Sequence, residues 1–121
     1  VEFLGDLSQT EIKDLMNKSK LLIHTSQYET FGLVAIEANS MGVPILSINT
    51  GSLIEVIENN NNGYFSENVL DSNANNFVKN LLNDDDYFDV VMNNCIQKSQ
   101  KYFWEDTSEN LLKIYQEAKL S

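Results

Sequence analysis

LLIHTSQYETFGLVAIEANSMGVPILSI, residues 21–48, decides the fold. Leu21, Leu22 and Ile23 form a short apolar run that ends at His24 and reads as a buried strand. Residues 25–32 are polar and read as a loop. Residues 33–41 follow as a helix. Gly42 stands where a left-handed glycine closes a helix, and Pro44 forbids its continuation. Residues 45–48 are apolar and β-branched, so they read as the next strand. One strand, one helix and one strand in this order make a parallel β-α-β unit.

The pattern extends in both directions. Residues 1–5, VEFLG, read as a short buried strand. Ser8 with Glu11 three positions later is a capping box, and Ile12, Leu15 and Met16 set the period of a helix from about 9 to 18. Residues 49–52 read as a turn and 53–58 as a short helix, stopped by residues 59–63. The four Asn at 59–62 read as a compositional habit. Residues 63–65 read as a short strand. Asp71 or Ser72 caps a helix carrying Phe77, Val78, Leu81 and Leu82. Three Asp at 84–86 suit the positive end of the next helix dipole, which runs to about 101. Asp106 or Thr107 caps a last helix with Leu111, Leu112, Ile114 and Tyr115. The expected fold is α/β: a Rossmann-like parallel sheet with helices on both faces and a helical C-terminal tail. Residues 1–121 read as one domain, about 1–70 being the α/β core and 71–121 the tail. The chain opens inside a strand-like run with no lead-in, so it reads as a piece of a longer protein.

Composition narrows the function. The chain is 42% hydrophobic and carries 8 basic and 18 acidic residues, a formal charge of −10. All the basic residues are Lys. A phosphate backbone is a poor partner for such a surface, and so is an anionic membrane. Neither nucleic-acid binding nor direct membrane binding by this segment is expected. A single Cys (Cys95) and a single His (His24) leave no disulfide, thiolate cluster or His-rich metal site. Cys95 reads as an apolar helix-face residue, and His24, at a strand end, as a packed or capped histidine. Without a basic leader and apolar stretch at the N-terminus, a cytoplasmic setting is the default expectation.

In an open α/β sheet, ligands bind beyond the carboxyl ends of the strands. Three loops qualify: residues 6–8, 25–32 and 49–52. The middle one runs into a helix start, where free N–H groups and the dipole favour an anion. Gly32 lets a ligand approach the backbone closely. Glu29 lies above that helix start and Glu37 more than one turn inside it. Two carboxylates flanking a helix N-terminus can hold two sets of hydroxyls, with a diphosphate on the N–H groups between them. That is the polarity of a nucleotide sugar.

These residues resemble a known family. Glu29 to Glu37 is similar to the E-x7-E signature of retaining glycosyltransferases of family 4, which have the GT-B architecture of two facing Rossmann-like domains. Val1-Glu2-Phe3-Leu4-Gly5 resembles the family's V-x-F-L-G. Ser26 with Glu29-Thr30-Phe31-Gly32 resembles S-x-x-E-x-F-G. Glu37-Ala38 with Gly42, Pro44 and Ile45 resembles E-A-x-x-x-G-x-P-V. Thr50-Gly51-Ser52 with Glu55 and Val56 resembles G-G-x-x-E-x-V. Phe103-Trp104-Glu105 with Leu111, Leu112 and Tyr115 resembles F-x-W-E…L-L-x-x-Y.

The resemblance implies a donor-binding domain, taking a UDP- or GDP-sugar as co-substrate with no cofactor and no catalytic metal. It implies that Glu29 binds hydroxyls of the donor sugar and serves as the catalytic-site carboxylate. Thr30 and the backbone of Phe31, Gly32 and Leu33 would meet sugar and diphosphate. Glu37 would bind the ribose, Asp6 and Leu7 would border the base, and Gly51 and Ser52 would form a phosphate-side loop. The aromatic group Tyr102, Phe103 and Trp104 reads as packing, toward a partner domain in the family. Ser52 replaces the second glycine of the family loop, and Thr25 a common Pro. The family's Arg and Lys pair, its glycine-rich loop and its acceptor-binding N-terminal domain would all precede Val1. Transfer is therefore expected of a longer enzyme, in the cytoplasm or at the inner face of the membrane, and not of this fragment alone. A non-catalytic nucleotide-sugar or protein-binding module is the alternative. A GT-B epimerase ranks lower, since one His offers little acid–base chemistry.

Overall fold

A computed structural model of the chain describes residues 1–48, 51–66 and 71–120. The elements are α1 (Gln9–Asn17), β1 (Leu22–His24), α2 (Leu33–Ser40), β2 (Ile45–Ile48), α3 (Leu53–Val56), β3 (Gly63–Ser66), α4 (Ser72–Asn83), α5 (Asp85–Gln100) and α6 (Trp104–Leu120). The strands form one parallel sheet in the order β1-β2-β3. The register pairs Leu22 with Ile45 and Ile45 with Gly63, which puts β2 in the middle. The α/β architecture, with an open parallel sheet and a helical C-terminal end, is the one the sequence pattern predicts.

Alternation along the strands gives the sheet two apolar faces. Leu22, Ile45 and Phe65 meet Met16 of α1, Ala35 and Ala38 of α2, and Leu53 and Val56 of α3. Leu46 and Tyr64 meet Ala74, Phe77 and Leu81 of α4 and Val91 and Cys95 of α5. The change from sheet-building to purely helical sequence near residue 70 is thus a change of element type, since α4 and α5 form half of the core. In α6 no residue is buried.

The caps follow the sequence closely. Ser8 caps α1 in a full capping box with Glu11. The Asp71 side chain accepts the N–H of Asn73, and the Asp84 side chain that of Tyr87. Gly42 closes α2 at φ 76°. Any Cβ there would stand 2.6 Å from Met92 of α5, so the helices cross at the one residue able to permit it.

Three expectations are corrected. Residues 1–5 are not a strand: they run outside the sheet with Phe3 96% exposed. A strand persists only by pairing, and among the described residues nothing pairs with this run. The last helix starts at Trp104, before Asp106 and Thr107. Thr107 donates its N–H to the Phe103 carbonyl, so it already lies within the first turn. The Asn run is more than habit. Asn60 takes φ 60°, a conformation Asn tolerates better than most residues. Asn59 brackets the backbone of Phe65, accepting its N–H at 2.7 Å. Asn62 is buried in the core. Positions 49 and 50 of the predicted 49–52 turn lie outside the described residues.

Candidate functional site

The 25–32 loop joins the carboxyl end of β1 to α2. Ser26 shapes it, its hydroxyl donating to the Tyr28 carbonyl at 2.8 Å. The loop closes on Gly32, the N-cap of α2, at φ 66° and ψ 31°. A Cβ there would stand 2.8 Å from the buried Leu53 side chain. Backbone geometry and packing thus both require glycine.

The Glu29 side chain turns back over this helix start. Its Oε1 accepts the N–H groups of Thr30 and Gly32, each at 3.1 Å. The Gly32 N–H, with smaller help from its neighbours, holds the Glu29 carboxyl below the usual carboxylate range. Oε2 faces Nε2 of His24 at 3.4 Å. Among the described residues the N–H groups of Leu33 and Val34, at the head of α2, have no partner within the chain. The site therefore presents a fixed carboxylate beside open donors.

Among the described residues, several of the predicted ones line two separate openings. Thr30, Phe31, Leu33 and Ser52 line a cavity of about 540 Å³, together with Glu55 and Trp104. Phe31 and Leu33 are exposed there, and the Ser52 hydroxyl is buried without a partner among the described residues. Gly51 belongs to the same region, packed against the Glu29 backbone. Glu37 lies elsewhere, in a groove of about 480 Å³ between α1 and α2. Asp6 and Leu7 sit at the start of α1, next to its capping box.

Sequence reasoning did not single out two residues of the Glu37 groove. Gln9 and Lys13 share the groove with Glu37. Their four-residue spacing on α1 puts both on one side of that helix, a signal available in advance. His24, read as packed or capped, is largely buried; its contact with Glu29 depends on the loop's path, which spacing does not give. Among the described residues no three His, Cys, Asp or Glu side chains gather to hold a metal ion, and no helix is long and apolar enough to cross a membrane.

Residues 1–102 match the family of glycosyl transferases group 1. An uncharacterised glycosyltransferase of Methanocaldococcus jannaschii is 27% identical over 97% of this chain and 33% of that protein. A solved Anabaena structure, HepE in complex with UDP and glucose, aligns at a TM-score of 0.73 and 26% identity, over 100% of this chain and 32% of that one. Sucrose-phosphate synthase from Thermosynechococcus elongatus aligns at 0.77 and 25%, over 99% of this chain and 30% of its own. The chain thus spans about a third of each of these three proteins. Its parallel sheet and helices are those of GT-B C-terminal domains, and the chain belongs to the glycosyl transferases group 1.

Proposed function

We propose that this domain binds the nucleotide-sugar donor, a UDP- or GDP-sugar, of a retaining family 4 hexosyltransferase. The observation that carries the reading is the head of α2: the fixed Glu29 carboxylate beside the open N–H groups of Leu33 and Val34. An N-terminal domain of the same enzyme supplies the acceptor, a glycan under assembly in the cytoplasm, and this segment alone is inactive.

The roles follow from position. The donor diphosphate lies on the open N–H groups, where the helix dipole favours negative charge. Glu37 takes the ribose hydroxyls in the groove it shares with Lys13. Asp6 and Leu7 border the base. Glu29 accepts from sugar hydroxyls through Oε2, since Oε1 is held by backbone. Thr30 and the backbone of Phe31, Gly32 and Leu33 border the sugar, and Gly51 and Ser52 border the phosphates. The bond from the anomeric carbon to the diphosphate breaks, and the diphosphate leaves with the electron pair. The acceptor hydroxyl attacks from the same face and passes its proton to the departing phosphate oxygen, so configuration is retained. Dipole and basic side chains stabilise the leaving group without a metal ion.

The HepE structure with UDP and glucose supports this reading on the same scaffold. The test is calorimetric titration of the full-length enzyme with UDP, GDP, UDP-glucose and GDP-mannose, without divalent metal. One nucleotide and its sugar conjugate are expected to bind. If none binds, the donor-site reading falls.

A further inference from the structure

His24 stands at the carboxyl end of β1, and its side chain is only 12% exposed. Its Nε2 faces Glu29 Oε2 at 3.4 Å, while its Nδ1 is buried without a hydrogen-bond partner among the described residues. Ser47, its register partner on β2, directs its hydroxyl to the Ile48 carbonyl at 2.9 Å. These facts fix where the imidazole proton belongs. On Nδ1 it would be a buried donor with no acceptor among the described residues; on Nε2 it lies on the side of a carboxylate 3.4 Å away.

Glu29 thus has a polar neighbour at each oxygen. Backbone N–H groups hold Oε1, and the imidazole flanks Oε2 from below. The backbone contacts act on Oε1, while the imidazole is the neighbour at Oε2. A nitrogen beside Oε2 adds to the resistance against any swing that would break the Oε1 bonds. We infer that His24 is a positioning residue that orients Glu29 Oε2 toward the hydroxyls of the donor sugar, and so contributes to sugar recognition without touching the nucleotide. The inference rests on the reading of Glu29 as a sugar contact.

The test uses amide isosteres of histidine in the full-length enzyme. The Gln amide nitrogen overlays Nε2 and can still donate to Glu29. The Asn amide nitrogen overlays Nδ1 and cannot reach it. Calorimetry compares the sugar conjugate with the free nucleotide identified in the titration above. His24→Asn and His24→Phe are expected to weaken the sugar conjugate about ten-fold and the free nucleotide less than about two-fold, as for loss of one polar contact to a charged group. His24→Gln is expected to stay within about three-fold of the parent. Equal losses for both ligands, or equal behaviour of the Gln and Asn variants, overturn the inference. Glu29→Gln is run in parallel. If it weakens the sugar conjugate selectively while His24→Asn does not, the His24 role alone falls. If Glu29→Gln affects neither ligand, the sugar-contact reading falls and this inference with it.

Discussion

The Glu29 carbonyl oxygen lies 2.5 Å from the point where a side chain on Gly51 would begin. The loops after β1 and β2 therefore interlock backbone to backbone, and the geometry of Glu29 depends on a glycine twenty-two positions away in sequence.

Gly51→Ala meets two obstacles. Its φ of 51° is unfavourable to any Cβ, by about 1–2 kcal/mol, and the new atom collides with backbone that cannot rotate aside. Gly5→Ala separates the two, because Gly5 has φ 67° but nothing within 4 Å of its added Cβ. Urea unfolding is expected to show a larger loss for Gly51→Ala, together with weaker binding of the sugar nucleotide. Equal losses for the two variants would refute the interlock.

The two carboxylates of the site are expected to fail differently. Glu37→Ala removes a charged acceptor from the α1–α2 groove and should weaken free nucleotide by about 1.5–3 kcal/mol. Glu29→Ala should spare the free nucleotide and weaken the sugar conjugate. Titration of each variant with both ligands checks this. Unchanged nucleotide affinity in Glu37→Ala removes the ribose assignment.

Much of this was legible beforehand because it is local. The strand-loop-helix-glycine-proline-strand run over residues 21–48 needs only near-neighbour physics, and the Ser8–Glu11 box and the Asp71 and Asp84 caps are equally short-range. Glu29 could be placed above α2 from its three-residue distance to Gly32. What failed depended on distant partners. Whether residues 1–5 form a strand is decided by a pairing partner, and no local pattern supplies one. The contact of His24 with Glu29 depends on the turn that Ser26 closes. The Asn run looked alike at every position, although one of its members is buried and another bends the chain.

Acid should loosen this domain through carboxylates that are held low. Lys98 holds Glu58 below its ordinary 4.5 across a 2.9 Å contact, Gly32 does the same for Glu29, and Ser8 for Glu11. A carboxyl depressed in the folded state contributes stability above its unfolded value and loses it as pH falls through the folded value. The urea midpoint is therefore expected to be flat above about pH 5 and to drop below 4.5. Lys98→Met should shallow that drop. A drop of unchanged steepness would show that the Glu58–Lys98 pair contributes nothing to it.

The buried polar centre yields the last expectation. Asn39 donates to the Val43 carbonyl at 3.1 Å and to the Asn62 backbone carbonyl at 3.4 Å. Asn62 donates to Asn39 Oδ1 and to the Val56 carbonyl, and its own Oδ1 accepts the Glu58 N–H at 2.7 Å. The Cys95 thiol donates to the Asn62 carbonyl at 3.4 Å. These bonds tie the end of α2, the end of α3, the approach to β3 and the middle of α5 to one point. Truncating either Asn leaves buried partners unpaired, at about 1–3 kcal/mol each. Once Asn62 is gone, Asn39 has already lost its Oδ1 partner, so removing it costs less. Asn39→Ala and Asn62→Ala are each expected to lower stability by about 2 kcal/mol or more, and the double variant to fall short of their sum by about 1 kcal/mol. Urea unfolding of the full cycle measures this. Strict additivity would mean that the two side chains are anchored independently and that no shared network holds α2 under the site.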